Sequence, residues 1–232
     1  MKRAVGTRRI AIAVVILVSL VAAADWFWNS SWLKLHTVQV SGLHHTTRAQ
    51  VLGVAALVDG TRLSAISSAT VARRVDGLPW VASATVTHVL PSTIRIAVTE
   101  RTPAVVVQGA GRPYLVDVHG AVLAAGSGPY PQVTGLGVDT LQPGGRISGP
   151  AFAAAVAVLT SLPVPLRAEV TQVSAPSADA VTISLTGQTT ISYGTATDLA
   201  SKNTDVTDLL GGGQSFQSIN VSAPDHPAAI PR

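Results

Sequence analysis

The chain has 232 residues, which allows one large domain or two small ones, each with a buried core. It contains no cysteine, which excludes disulfide frameworks, thiolate metal sites and cysteine nucleophiles. Four of the 16 basic residues precede the first apolar run, and the other 12 balance the 12 acidic residues. Because the net charge of +4 comes from this tail and only 4% of residues are aromatic, we expect no nucleic-acid binding.

The N-terminal segment joins a basic stretch, residues 1–9, to an uncharged run over residues 10–24, and tryptophan-rich residues follow. Basic residues before an apolar run keep that end in the cytoplasm, and aromatic residues after it suit the far headgroup layer. The pattern predicts a cytoplasmic tail over residues 1–9, a transmembrane helix over residues 10–28, and export of the remainder.

A cleaved signal peptide is the alternative interpretation of the same segment. The uncharged run covers only about 22 Å as a helix, short of a hydrocarbon core of about 30 Å. The alanines at 22–24 also suit a small-x-small cleavage site. Under this interpretation the chain is a secreted binding module.

The sequence pattern of residues 35–100 predicts a strand, two helices and two more strands, in that order. The first strand alternates apolar and polar residues. Thr47 begins the first helix with a capping box, and the second helix begins near Ser67 or Ser68. Gly77 is expected at its C′ position in a left-handed conformation. Two helices covering one face of a three-stranded sheet make a compact α+β unit.

A hairpin completes this unit. Residues 81–89 are rich in β-branched side chains, and residues 90–92 predict a turn. Ile94, Ile96 and Val98 then alternate with polar or small residues, so one face of the hairpin is expected to be buried and the other solvated.

From Pro103 onward the composition predicts a β-rich domain with one or two helices. Residues 216–222 are expected as the last strand, either at a sheet edge whose unpaired N–H and C=O groups invite a partner strand or simply paired within the domain. The last ten residues, 223–232, contain three prolines and are expected to trail as a flexible end. Strands are expected at residues 105–107, 114–118, 120–123, 170–174, 180–185, 189–193 and 216–222, and helices at 151–162 and 198–210.

Several short motifs occur in the order typical of one family. They are residues 38–42, 78–81, 84–86, 90–94 and 98–103, followed by Tyr193, Gly194, Leu199, Lys202 and Leu209. In this combination the chain resembles the FtsQ/DivIB family of bacterial cell-division proteins. Residues 35–102 then look like a POTRA domain of the FtsQ type, and residues 103–222 look like the β domain of that family. Asn220 departs from the pattern, which usually has an aspartate there.

The resemblance implies a bitopic scaffold that keeps its membrane anchor and is not an enzyme. It implies a single-pass type II protein of the cytoplasmic membrane at the division septum, without a cofactor or metal. The implied partners are FtsB- and FtsL-type division proteins and, through them, the FtsW–FtsI septal peptidoglycan synthase. The predicted partner-binding residues are Phe216, Ser218, Ile219, Asn220, Val221 and Ser222, with Tyr193 and Lys202; the predicted interdomain hinge is Glu100, Arg101 and Pro103.

Other chemistries have weaker support. The S-x-x-K pattern at Ser31 and the S-x-N pattern at Ser201 hint at a penicillin-binding acyltransferase, but no K-T-G follows, so we interpret both as chance matches. His44 and His45 lack the nearby ligands of a metal site. An outer-membrane assembly factor also uses POTRA domains, but too few residues follow Pro103 for its large barrel.

Overall fold

The computed structural model describes residues 14–22, 31–212, 214–223 and 227–232. Residues 14–22 are helical, and their large apolar side chains are exposed. Within these ranges, no helix combines the length and the apolar character needed to cross a bilayer. The predicted tail over residues 1–9 lies outside the described residues, as do both ends of the predicted span over residues 10–28.

The chain divides into two compact units, Met1–Glu100 and Arg101–Arg232. The first unit is an α+β unit with the predicted order of elements. Its sheet has the order β1-β3-β2, in which β1 is parallel and β2 antiparallel to the central strand. The elements are β1 (Thr37–Ser41), α1 (Arg48–Ala55), α2 (Ser68–Asp76), β2 (Val81–Val89) and β3 (Thr93–Glu100).

Local signals fix the ends of both helices in the first unit. The predicted capping box is confirmed, because Thr47 Oγ1 accepts from the N–H of Gln50 and Gln50 Oε1 accepts from the N–H of Thr47. Ser67 caps α2 by accepting from the N–H of Thr70. The left-handed conformation expected at Gly77 is wrong: its φ is −71°, and its N–H continues the helical bonding to Arg74.

The core of the first unit lies between the helices and one face of the sheet. Val51 on α1 and Val75 on α2 are fully buried against Ile94 and Ile96 of β3. The strict alternation of β3 sends its apolar residues to this face, as predicted. Burying each such side chain contributes about 1.5–3 kcal/mol to folding, so this small core supplies most of the driving force.

The second unit is built on one nine-stranded sheet with the order β12-β11-β10-β9-β8-β7-β4-β5-β6. Three helices accompany it: α3 (Pro150–Ser161), α4 (Val164–Ala168) and α5 (Leu199–Gly211). The strands are β4 (Pro103–Gly109), β5 (Arg112–Asp117), β6 (Val122–Ala125), β7 (Gln132–Thr134), β8 (Val170–Ser174), β9 (Val181–Leu185), β10 (Thr190–Gly194), β11 (Phe216–Asn220) and β12 (Ala228–Pro231).

Three elements of the second unit were not predicted. The strand β7 has three residues and the helix α4 has five, and elements this short show no periodicity from which they could be predicted. β12 lies in the segment 223–232, which was expected to be flexible. That expectation is wrong for residues 228–231, because a proline is tolerated at the end of an edge strand.

Glycine is required at one turn of the first unit. Gly42 has a φ of +82°, and a Cβ built on it would lie 2.0 Å from the carbonyl oxygen of Val98. Gly42→Ala is therefore expected to destabilise this unit by about 2–4 kcal/mol. Denaturant unfolding followed by tryptophan fluorescence measures this loss, since all four tryptophans precede residue 101.

Gly53 provides the matched control for this substitution. It lies within α1, and a Cβ built on it meets nothing within 4 Å. Gly53→Ala is expected to stabilise the unit by about 0.5–1 kcal/mol, since alanine loses less backbone entropy in a helix. Equal effects of the two substitutions would contradict the backbone clash assigned to Gly42.

Candidate partner-binding edge

The nine-stranded sheet ends at β12. This strand pairs antiparallel with β11, with Ala228 opposite Asn220 and Ile230 opposite Ser218. Among the described residues, no strand pairs with its other side. Ile230 is 59% exposed, so the strand presents both free backbone groups and an apolar side chain. We refer to residues 228–231 as the β12 edge.

The opposite end of the sheet is covered at Val122, where its last strand begins. β6 is the last strand there, and the chain around Gly145 runs along its outer side. The N–H of Val122 donates to the carbonyl of Gly145, and the N–H of Gly144 donates to the carbonyl of Val122, both at 2.9 Å. A partner strand would have to displace this segment, whereas the β12 edge needs no displacement.

The expectation that residues 216–222 form the sheet edge is wrong. β11 lies between β10, to which it is parallel, and β12. Beyond β11, the N–H of Val221 still donates to the carbonyl of Ser192 at 2.9 Å. The backbone of this segment is therefore bonded within the sheet, and the edge is displaced by one strand to β12.

A bulge changes which side chains of β11 point inward. Strict alternation places Phe216 with Ser218, but the register shifts between these two residues. Phe216 is therefore buried together with Ile219 and Val221, which are fully buried. Of the six predicted partner-binding residues in this segment, only Ser218, Asn220 and Ser222 keep solvent exposure.

Asn220 ends β11 with a local turn. Its Oδ1 accepts from the N–H of Ser222 at 2.9 Å and from the hydroxyl of Ser222 at 2.7 Å. Both bonds use an oxygen acceptor, which an aspartate offers equally well. An aspartate at this position could therefore form the same turn.

Tyr193 and Lys202, the other two predicted partner-binding residues, lie inside the second unit. Lys202 on α5 is 1% exposed, and its Nζ donates to the carbonyls of Tyr193 and Thr195, both at 2.9 Å. The Tyr193 hydroxyl donates to Asn203 Oδ1 at 2.8 Å. Asn203 in turn donates to the carbonyl of Ser161 at 2.9 Å, so this network joins β10, α5 and α3.

Burial shifts the ionisation of both groups toward the neutral form. It lowers the pKa of Lys202 below its usual 10.5, an effect that the nearby charge of Asp198 partly offsets. It also raises the pKa of the Tyr193 hydroxyl well above 10. Side chains buried in this way cannot contact a partner directly, so any influence they have on binding acts through the position of β10 and α5.

Arg232 holds β12 in place. Its N–H donates to the carbonyl of Ser215 at 3.0 Å, and its guanidinium donates to the carbonyl of Gly187. No carboxylate lies within 4.0 Å of Arg232 among the residues that the structure describes. Both bonds tie the end of β12 to the chain before β11 and to the turn between β9 and β10, where the sequence indicated only a flexible end.

Glu100, the first residue of the predicted hinge, binds within the first unit. Its side chain is 5% exposed and accepts from the N–H groups of His44, His45 and Thr46 at 2.8–3.2 Å. His45 also stacks on Trp80, with ring centroids 4.1 Å apart. Burial alone would raise the pKa of Glu100, but the three N–H bonds outweigh it and lower the pKa to about 2.

Arg101 and Pro103 begin the second unit. Arg101 forms a 2.8 Å ion pair with Asp117, which is buried. Asp117 Oδ1 also accepts from the N–H groups of His119 and Ala121, at 2.9 and 2.7 Å. Pro103 pairs with Asp117 at the start of β4, where its missing N–H is tolerated. Sequence reasoning missed Asp117, because an isolated aspartate at the end of a strand gives no signal.

The candidate catalytic patterns gain no support. Ser201 is an exposed residue of α5, and the neighbouring Lys202 amine is occupied by two backbone carbonyls. His44 contributes a backbone N–H to Glu100, and the His45 ring lies 3.2 Å from the same carboxylate. Across the ranges that the structure describes, no group of three or more histidines and carboxylates could hold a metal ion.

Comparison with known proteins gives one consistent result. Residues 33–101 match the family described as "POTRA domain, FtsQ-type", and residues 104–214 match "Cell division protein FtsQ/DivIB, C-terminal". The chain is 32% identical to the cell division protein FtsQ of Mycobacteroides abscessus over 222 residues, which are 96% of this chain and 69% of the relative.

Two further relatives bear the same name. The chain is 31% identical to the cell division protein FtsQ of Mycolicibacterium smegmatis over 222 residues, covering 96% of this chain and 65% of the relative. It is 32% identical to that of Streptomyces bingchenggensis over 231 residues, covering 95% of this chain and 85% of the relative. The chain thus spans about two thirds of the length of the two mycobacterial relatives.

Proposed function

Because the chain belongs to the FtsQ/DivIB family of bacterial cell-division proteins, we propose that it is a division scaffold. In this proposal it binds FtsB- and FtsL-type proteins on the outer side of the cytoplasmic membrane and thereby helps to recruit or regulate the FtsW–FtsI septal synthase. Its N-terminal segment anchors it with a single span, its N-terminus remains in the cytoplasm, and residues 100–103 are the junction between its two domains.

The observation that best supports partner binding is the β12 edge. A partner strand added there would extend the nine-stranded sheet by a tenth strand. Backbone hydrogen bonds would supply affinity. At the β6 edge, an added strand would compete with the bonds between Val122 and the segment around Gly145.

The exposed side chain of the β12 edge indicates which kind of residue the partner strand carries. Ile230 projects from the exposed face of β12 and favours an apolar residue beside it on the added strand. The partner segment is therefore a β-strand with an apolar residue that lies beside Ile230.

Ile230→Asp tests the β12 edge. A charge on an edge strand opposes strand addition, so affinity for the extracytoplasmic part of the host's FtsB-type protein is expected to fall at least about tenfold. The measurement is a binding titration with the full chain. Val58→Asp is the matched control, since Val58 is similarly exposed but belongs to the first unit, and its affinity is expected to stay within about twofold.

Deleting residues 227–232 distinguishes strand addition from strand exchange. If the partner adds to β12, the deletion abolishes binding. If the partner instead replaces β12 and pairs directly with β11, the deletion uncovers the β11 edge and strengthens binding. Unchanged binding after both Ile230→Asp and the deletion would overturn the proposal that this end of the sheet is the partner site.

A further inference from the structure

The second unit contains an apolar pocket far from the β12 edge. Its volume is about 380 Å³. Ala104 of β4 lines it, and six strand spacings separate β4 from β12, about 29 Å at 4.8 Å per strand. The other side chains used below are Val118, Tyr130, Leu159, Val164 and Arg167, all of which line the same pocket.

The helix that forms one wall of this pocket is unusually exposed for its composition. α4 has the sequence VPLRA, and none of its five residues is buried. Val164 at its first position is 74% exposed, and Val118 across the pocket is also exposed. The floor, by contrast, includes the buried Leu159. Exposed apolar side chains grouped around a concave surface are typical of a site that another molecule covers.

The polar groups of the pocket are few and have unused bonding capacity. Arg167 donates one N–H to the carbonyl of Leu162 at 2.8 Å, which holds its guanidinium near the pocket. No carboxylate of the described residues lies within 4.0 Å of Arg167, and the lining contains no acidic residue. Tyr130 also lines the pocket.

We infer that this pocket binds a second partner segment, in which a leucine- or valine-sized side chain is followed by an aspartate or glutamate. The apolar walls take the aliphatic side chain, and the Arg167 guanidinium takes the carboxylate. An arginine presents its N–H groups as a planar fork that matches a carboxylate in a bidentate geometry. The volume of about 380 Å³ has room for an aliphatic side chain together with the adjoining part of the partner segment.

The charge of Arg167 decides between this occupant and a purely apolar one. A neutral aliphatic segment would leave the guanidinium partly desolvated and without a counter-charge, which is costly. An acidic segment supplies that counter-charge at the pocket itself. A segment with a basic residue at the same place would be excluded by like-charge repulsion.

The test uses the full chain in lipid nanodiscs with isotope-labelled valine methyl groups. The probe is the capped peptide Ser-Leu-Leu-Glu-Ser, compared with peptides in which Glu is replaced by Gln or by Lys. The acidic peptide is expected to shift the methyl signals of Val118 and Val164 and to bind about fivefold more tightly than the Gln peptide. Arg167→Gln is expected to abolish this preference, and Arg167→Glu to transfer it to the Lys peptide.

Two matched variants complete the design. Arg112→Gln removes an exposed arginine of the same unit outside the pocket lining and is expected to leave the preference intact. Ile230→Asp is expected to leave peptide binding unchanged, so that failure at the β12 edge and failure at the pocket can be told apart. Absence of methyl shifts at millimolar peptide, or equal binding of all three peptides, would overturn the inference. A dimer of the chain that the substitution Val164→Asp dissociates would also overturn the inference.

Discussion

Lys202→Ala is expected to destabilise the second unit by about 3–5 kcal/mol. The substitution removes the Nζ that bonds the carbonyls of Tyr193 and Thr195, and it leaves those acceptors without their donor. It also leaves a cavity where the aliphatic part of a fully buried lysine packed. Urea unfolding followed by far-UV circular dichroism measures the loss, and hydrogen exchange over β10 locates it.

Two variants separate the causes of this loss. Lys202→Met keeps most of the aliphatic volume and removes only the charged donor, so it is expected to cost about 1–3 kcal/mol. Ser201→Ala changes the exposed neighbour on α5 and is expected to stay within about 0.5 kcal/mol. A loss below about 1 kcal/mol for Lys202→Ala would contradict the structural role of its hydrogen bonds. Weakened partner binding by a fully stable Lys202→Met would indicate that Lys202 influences the partner site through the position of β10 and α5.

Glu100→Gln is expected to destabilise the first unit by about 2–3 kcal/mol at pH 7. The carboxylate accepts three backbone N–H groups, and an uncharged amide with a single acceptor oxygen cannot replace these charge-assisted bonds. Unfolding followed by tryptophan fluorescence reports on this unit, because Trp80 belongs to it and the second unit contains no tryptophan.

The effect of Glu100 depends on pH in a defined direction. Its pKa falls from 4.5 to about 2 on folding, so the folded state binds fewer protons than the unfolded state between these values. The stabilisation is therefore complete above pH 4.5, decreases as the pH falls, and is absent below about pH 2. The difference between wild type and Glu100→Gln should shrink over this same interval.

Glu169→Gln, whose unfolding is followed by far-UV circular dichroism because it lies in the tryptophan-free second unit, is the matched control, since the chain contains only two glutamates and Glu169 is exposed. It is expected to change stability by less than about 0.5 kcal/mol at any pH in this interval. If Glu100→Gln and Glu169→Gln had the same pH dependence, the three N–H bonds would not be the source of the stabilisation.

Local chemistry was sufficient to predict the first unit. The capping box at Thr47, the cap at Ser67 and the alternation of Ile94, Ile96 and Val98 are all signals between residues close in sequence. Each of these signals favours one local structure, so the order of strands and helices could be predicted from them. The prediction of a left-handed conformation at Gly77 was wrong because glycine permits that conformation without requiring it.

The candidate site was predicted less well, and the reasons differ between residues. The last strand was predicted at 216–222; a strand lies at 216–220, but β12 follows it, and a bulge after Phe216 buries that residue with Ile219 instead of placing it with Ser218. β12 was missed because the three prolines of residues 223–232 indicate a loop when taken alone, whereas pairing with β11 makes a four-residue strand stable. Lys202 is charged and lies on a helix, so nothing in its neighbours along the chain indicated burial.

The sequence by itself determined the family, the two-part organisation and the elements whose stabilising contacts lie within a few residues. Only the tertiary structure decided which strand ends the sheet, that Lys202 and Tyr193 face the interior, and that Arg167 lies beside an apolar pocket. These properties depend on contacts between residues far apart in the chain, such as Asn203 with Ser161 and Arg232 with Gly187. Such contacts leave no periodicity or local spacing in the sequence, because they exist only once the sheet and helices have packed.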